Sequence, residues 1–281
     1  MKKNDSIPLH ELPDLPFMAS DKPFVFGDPA ENHRINFYAI IWFLEDKGQH
    51  FIDFKSYPVR KNCIYLLAEN QVHSIPAPVL PCARVIVFPA DFFHQIEDLQ
   101  LRQLFLPFEE GGFQVPPEMV LPMEQLFKLL LLEYRGKAES QMLLQYTTLL
   151  LRHLFRFGKD RLPAVAGEDS RMVKLFQLIG ENYKENRSTA FYATQIGLTP
   201  KRINEILRKT AGITMSQLLY QLLLLESKRE LFHGVLSIKE IAYNLGFSDQ
   251  SYFARFFKKH TRISPEKFRE KAAIRQRQRE S

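Results

Sequence analysis

Cysteine is nearly absent: Cys63 and Cys82 are the two in 281 residues. That is too few for a disulfide framework or a structural zinc site, and both read as small buried side chains. No apolar run approaches the length of a bilayer-spanning helix, and the start, MKKNDSIPLHELPDLP, lacks the apolar segment of a secretory signal. A cytoplasmic protein with no membrane partner is therefore expected. A glycine-rich phosphate loop, a Gly-x-Ser-x-Gly elbow and a Cys-x-x-Cys pair are also missing. His33, His50, His73 and His94 fall in or near one strand-rich region, yet no His-x-His or His-x-x-x-His pair occurs. A bound metal would have to gather its ligands from four separate places. Glu109 and Glu110 lead into a Gly-Gly turn and nothing sets Asp53 beside them, so an acid–base pair is weakly supported. These absences disfavour an enzyme and leave no cofactor or metal expected; a metal-dependent enzyme built on a barrel remains the alternative.

What is present is a charge asymmetry. Residues 165–281 carry 21 Lys and Arg against 12 Asp and Glu, a balance of +9, whereas residues 1–164 carry 17 against 20, a balance of −3. A basic half beside a mildly acidic one fits one domain that meets a polyanion and another that does not.

The first thirty residues are proline-rich and weakly periodic, which predicts an irregular arm ending near Pro29. From Asn36 to Phe93 the pattern is strand-like: FYAIIWFLED, QHFIDFKSYPV, CIYLLAE and ARVIVFP are apolar or alternating runs, separated by Lys47-Gly48, Arg60-Lys61-Asn62 and the proline-rich IPAPVLPC. Closely spaced strands with tight turns predict a small antiparallel barrel or sandwich. From Pro116 the period becomes helical. Met119–Tyr134 and Glu139–Phe157 carry leucines around much of their circumference with Gly136 between them, an antiparallel hairpin that must cover the barrel, a second subunit, or both. Residues 159–170 have the Pro, Gly, Ala and charge content of a linker.

The most informative stretch is Ser237–Pro265, SIKEIAYNLGFSDQSYFARFFKKHTRISP. Ser237 precedes Glu240 by the three residues of a capping box, so a helix starts there. Ile238, Ile241, Ala242 and Leu245 share a face, and Gly246 stands where the chain needs a left-handed residue to leave the helix. Ser248 and Asp249 can cap a second helix that points Phe253, Phe256 and Phe257 inward and Gln250, Ser251, Ala254, Arg255 and Lys258 outward. A polar, short or basic face suits base edges and phosphates. The pattern occurs twice. In FYATQIGLTPKRINEILRKTAGIT, Ala193 and Gly197 answer to Ala242 and Gly246, Thr199 to Ser248, Ile203 and Leu207 to Phe253 and Phe257, and Arg208-Lys209 to Lys258-Lys259. Two helix-turn-helix units joined by a long helix, SQLLYQLLLLESKRELF from Ser216, are far more specific than one.

Over roughly Ser170 to Arg269 the sequence resembles the AraC family of bacterial transcription regulators, whose DNA-binding domain has two such units. Arg262 stands where that family usually has glycine, so either the turn takes another shape or strain of about 1 kcal/mol is tolerated; Gly212 holds the matching place in the first unit. The strand rhythm and NQVHSI resemble the family's cupin-type sensor domain. The resemblance implies an α+β chain: an N-terminal cupin-like antiparallel barrel (1–115), a dimerising helical hairpin (116–158), a linker (159–170) and an all-α DNA-binding domain (171–281). It implies base readout by Lys201, Asn204 and Glu205 in the first unit and by Gln250, Ser251, Ala254 and Arg255 in the second, with Arg202, Arg208, Lys258 and Lys259 at the DNA backbone. It further implies a homodimer on double-stranded DNA, a small-molecule effector, and activation through RNA polymerase. An effector-independent DNA-binding protein is the other alternative, because pocket-lining residues look like any inward-facing residues.

Overall fold

In the computed structural model the described residues are 9–10, 17–22, 33–53, 55–77, 79–105, 111–158, 170–211 and 213–277. Glu109, Glu110, Gly212 and the stretch read as a linker up to residue 169 lie outside them. The chain divides into two compact units, one from Leu9 to Ala164 and the other from Val165 to Ser281.

The N-terminal unit is built from β1 (Leu9–His10), β2 (Met18–Ser20), β3 (His33–Ile35), β4 (Tyr38–Phe43), β5 (Gln49–Ile52), β6 (Lys55–Pro58), β7 (Cys63–Leu67), β8 (Val72–Ser74), β9 (Ala83–Phe88) and β10 (Phe113–Gln114). Among the described residues these form two five-stranded sheets, ordered β1-β3-β8-β5-β6 and β10-β7-β4-β9-β2, rather than one closed ring. Pairing is antiparallel except for β1 with β3. The arm expected to be irregular supplies two of the strands. Met18–Ser20 pairs with Val85–Val87 and buries Phe17 and Ala19. Strands this short carry too few residues for a period to register in sequence.

The second sheet has a core on each face. From β4, Ile40 and Trp42 join one apolar cluster while Ala39, Ile41 and Phe43 join another. In the same way β9 divides Ile86 and Phe88 from Val85 and Val87. A strand buried on both sides reads as a continuous apolar run, which is why FYAIIWF and ARVIVF do not alternate with polar residues. The first cluster is closed by helices: the short α1 (Ala90–His94) and α2 (Leu99–Arg102), then the hairpin of α3 (Pro117–Arg135) and α4 (Ser140–Phe157). Arg84 pins α3 to the sheet, bonding Glu124 at 3.0 Å with its guanidinium 4.6 Å from the Trp42 ring. Asp53, considered above as an acid, instead braces a turn: its carboxylate accepts from Val72 N–H at 3.2 Å and from the Gln71 amide at 2.7 Å.

The C-terminal unit is helical throughout its described residues: α5 (Ser170–Asn182), α6 (Thr189–Ile196), α7 (Pro200–Ala211), α8 (Met215–His233), α9 (Ile238–Asn244), α10 (Gln250–Thr261) and α11 (Pro265–Arg277). The connecting helix α8 starts at a capping box made by Thr214 and Gln217, one residue before the Ser216 expected from the sequence. It buries Leu218, Leu219, Leu222, Leu223, Leu231 and Phe232 around its circumference, and packs against α7, α9, α10 and α11. Among the described residues no helix is long and apolar enough to cross a membrane.

The sheets also gather three of the four histidines singled out above. His33 lies opposite His73 across β3 and β8 with ring centroids 4.2 Å apart, and His50 Nε2 comes within 3.4 Å of His73 Nδ1. His94 closes α1 elsewhere. Among the described residues no group of three or more His, Cys, Asp or Glu side chains is arranged to hold a metal ion. Burial, reinforced by His33, pushes His50 down to about 3 from its ordinary 6.5. Below the ordinary value the unfolded chain takes up a proton at this residue that the folded chain refuses. The contribution is therefore fully present above pH 6.5 and is lost between 6.5 and about 3, at up to about 1.4 kcal/mol per pH unit. Urea denaturation of the N-terminal unit's transition should show that slope, and His50→Gln should flatten it. An unchanged slope would mean that other groups set the acid sensitivity.

Candidate functional site

Each helix-turn-helix unit is specified by local chemistry. In the second, Ser237 and Glu240 form the reciprocal cap: Ser237 N–H donates to the carboxylate at 2.7 Å and Glu240 N–H to the hydroxyl at 3.2 Å. Hydrogen bonding from the Ser237 side chain, and then from its backbone, holds the Glu240 carboxyl below its ordinary range. The chain then leaves α9 through Gly246, whose φ of 70° is open to glycine at no steric cost. Asp249 starts α10 by accepting from Tyr252 N–H at 2.7 Å, the bond that chiefly lowers its own pKa. Phe253 and Phe257 are fully buried among Leu223, Leu231 and Ile241, and Phe256 is half-buried. Their burial fixes the outward face, on which Gln250, Ser251, Arg255, Lys258 and Lys259 are exposed and Ala254 is half-buried. Arg262 ends the helix in the left-handed region at φ 68°, so the strain is accepted rather than avoided.

The first unit repeats this plan. Gly197 takes φ 65°, Thr199 accepts from Arg202 N–H at 3.1 Å, and Ile203 and Leu207 are fully buried. Lys201, Arg202, Glu205 and Arg208 are exposed, and Arg202 pairs with Glu205 at 3.3 Å across one turn. Asn204 departs from the expectation. Its Nδ2 donates to Pro200 O at 3.1 Å and its Oδ1 accepts from Met215 N–H at 2.9 Å, at the first residue of α8. With each end of the amide engaged, Asn204 fixes where α8 starts, a role that the expectation of base readout did not include. The pattern could not show this, because a half-buried Asn on a recognition helix reads the same whether it faces a base or the next helix.

Two further features of the face escaped the sequence. Tyr252 is 46% exposed on the first turn of α10, with its ring edge-on to Phe247. Arg187, in the loop before α6, donates to Leu245 O at 2.5 Å and lies 4.1 Å from the centre of the Phe247 ring. It thereby ties the first half of the domain to the turn of the second, and no local period marks a contact made 58 residues away.

Comparison with known proteins bears directly on this arrangement. A helix-turn-helix domain family matches residues 192–271. The transcriptional activator RhaS of Yersinia pestis (strain Pestoides F) is 23% identical over 246 residues, covering 84% of this chain and 88% of that protein. The arabinose operon regulatory protein of Salmonella typhimurium is 29% identical over 167 residues, 58% of each. The chain is a DNA-binding transcription regulator whose helix-turn-helix domain, at 192–271, is of the AraC type. Among solved structures, ToxT from Vibrio cholerae O395 is similar to it at 18% identity and a TM-score of 0.44, covering 90% of this chain and 97% of that one.

The regulator's other concavity lies between the two sheets of the N-terminal unit, an open cleft of about 620 Å³ with the solvent at its mouth included. Its walls are apolar apart from His33 and His73.

Two substitutions on neighbouring helices should therefore fail differently. Asn204→Ala should lower the stability of the DNA-binding unit by about 1–2 kcal/mol and leave relative preference among DNA sequences intact. Arg255→Ala should leave stability unchanged, cost about 1–3 kcal/mol in binding and relax preference at one base pair. Thermal unfolding and titration against matched and mismatched duplexes check both.

Proposed function

We propose that the protein acts as a homodimeric, effector-responsive activator, each subunit reading two short DNA elements about one helical turn apart with α7 and α10. The observation that carries this reading is the duplication itself: two recognition helices with exposed basic and polar faces, mounted on one buried helix. Lys201 and Glu205 on α7, and Gln250, Ser251, Ala254 and Arg255 on α10, are the base-reading set. Arg202, Arg208, Lys258 and Lys259 take the phosphates, where each released counterion steepens the dependence on salt. Lys259→Ala should accordingly weaken all sequences alike. Glu205 is the one acid of the set, and an acceptor there suits a cytosine amino group.

The α3–α4 hairpin is the dimer contact. Leu121, Leu129 and Leu132 on α3 are 50–68% exposed, an unusual density of large apolar side chains on one helix. A second copy of the hairpin would cover them. The cleft between the sheets is the effector site, and its occupant biases how a dimer presents its DNA-binding units and hence which half-sites it spans. Activation through contact with RNA polymerase, in the cytoplasm, is the outcome consistent with the relatives' names, which describe regulators; no reaction is assigned to the chain.

Selection of bound sequences from a random duplex pool, with the full chain at near-physiological salt, tests this. The reading expects a motif of two elements one turn apart, present twice, and its reduction to a single copy in the Leu129→Lys, Leu132→Lys double variant. A single copy already in the unsubstituted chain would remove the dimer. Binding without any enriched motif would leave only an electrostatic binder.

A further inference from the structure

The chemistry of the cleft between the sheets restricts what it can hold. A monosaccharide or other polyol carries a hydroxyl on nearly every carbon, and each one buried without a partner costs roughly 1–3 kcal/mol. Ile41, Phe43, Leu80 and Val85 are typical of the walls and offer no such partners. Among the described residues the lining contains no Lys, Arg, Asp or Glu to balance an ionic ligand. What polarity the side chains provide is concentrated in His33 and His73, paired across β3 and β8. His50 stands behind them, 3.4 Å from His73 Nδ1, and is held neutral by burial.

We propose that this cleft binds an uncharged, mostly apolar small molecule bearing a single hydroxyl group, seated with its O–H against the His33–His73 pair. A neutral imidazole has one donor and one acceptor nitrogen, of which His73 Nδ1 faces His50, and a hydroxyl is the small group that can either donate or accept at what the pair offers the cleft. The rest of such a molecule is matched to the walls by burial of apolar surface. The inference rests on the reading of the cleft as the effector site, and adds to it the class of the effector.

Calorimetric titration of the full chain at neutral pH with 2-naphthol, naphthalene, 2-naphthoate and L-arabinose separates the alternatives. 2-Naphthol should bind at least about tenfold more tightly than naphthalene or 2-naphthoate, and L-arabinose should give no heat of binding. His73→Phe should bring 2-naphthol down to the affinity of naphthalene. Leu80→Trp, which fills the cleft from a connecting segment rather than from a strand, should abolish binding of both, and its unchanged thermal transition would show that the fold survives. Tighter binding of 2-naphthoate or L-arabinose, no binding of 2-naphthol, or 2-naphthol binding that persists in Leu80→Trp would each overturn the proposal. Affinity for a duplex with paired half-sites is read separately. If 2-naphthol binds as expected without changing that affinity, the ligand class stands and the effector reading falls; if L-arabinose changes it and 2-naphthol does not bind, the effector reading stands and the ligand class falls.

Discussion

The DNA-binding unit depends on a contact that only glycine permits. A Cβ placed on Gly246 would lie 2.2 Å from the carbonyl oxygen of Lys184, so the turn of the second helix-turn-helix can rest on the loop after α5 only because that atom is missing. The same loop sends Arg187 to the carbonyl of Leu245 and across the Phe247 ring. It also brings Lys184 to 3.8 Å from Glu226, which pairs at 3.1 Å with Arg229 inside α8. Buried charges of this kind contribute little net stability, but breaking one partner leaves the other uncompensated, which favours a single arrangement over its neighbours. The turn, the loop and the connecting helix are thus held as one piece, and the two recognition helices inherit their relative placement from it.

In the N-terminal unit the corresponding constraint is the sheet carrying β4, β7 and β9. Because it is buried on both faces, its two sets of side chains do different work. Ile40, Trp42, Ile86 and Phe88 anchor the helical hairpin, while Ala39, Ile41, Phe43, Val85 and Val87 wall the cleft. A change in what fills the cleft acts on one face of strands whose other face holds the hairpin. That gives the effector hypothesis a physical route within this unit, through strands that are packed and hydrogen-bonded on both sides.

Much of this was legible in the sequence, and what was not has physical causes. The capping box at Ser237, the left-handed glycines at 197 and 246 and the apolar faces of the helices are local signals, set within a turn of the residues they control, and they located both helix-turn-helix units. The apolar runs likewise located β4, β7, β9 and the helical hairpin, whereas QHFIDFKSYPV, read as one run, folds back on itself as β5 and β6. Short strands such as β3 and β8 left no such trace, and so the meeting of His33, His50 and His73 was hidden: register, not spacing, brings them together. Asn204 misled for a related reason. Its chemistry fits adenine, and the local pattern cannot tell that the amide of Met215, eleven residues on, uses it first.

The central claim is that two reading helices are held at a fixed separation by one packed core. The most direct measurement is the affinity of the full chain for duplexes in which zero, two, five or ten base pairs are inserted between the two elements of a selected half-site. A fixed separation predicts a loss of at least about tenfold on two or five inserted pairs, with no recovery at ten, since a restored helical phase cannot restore the distance. Affinity that is indifferent to the insertions, or that returns at ten, would mean that the helices move independently or that one of them alone does the reading.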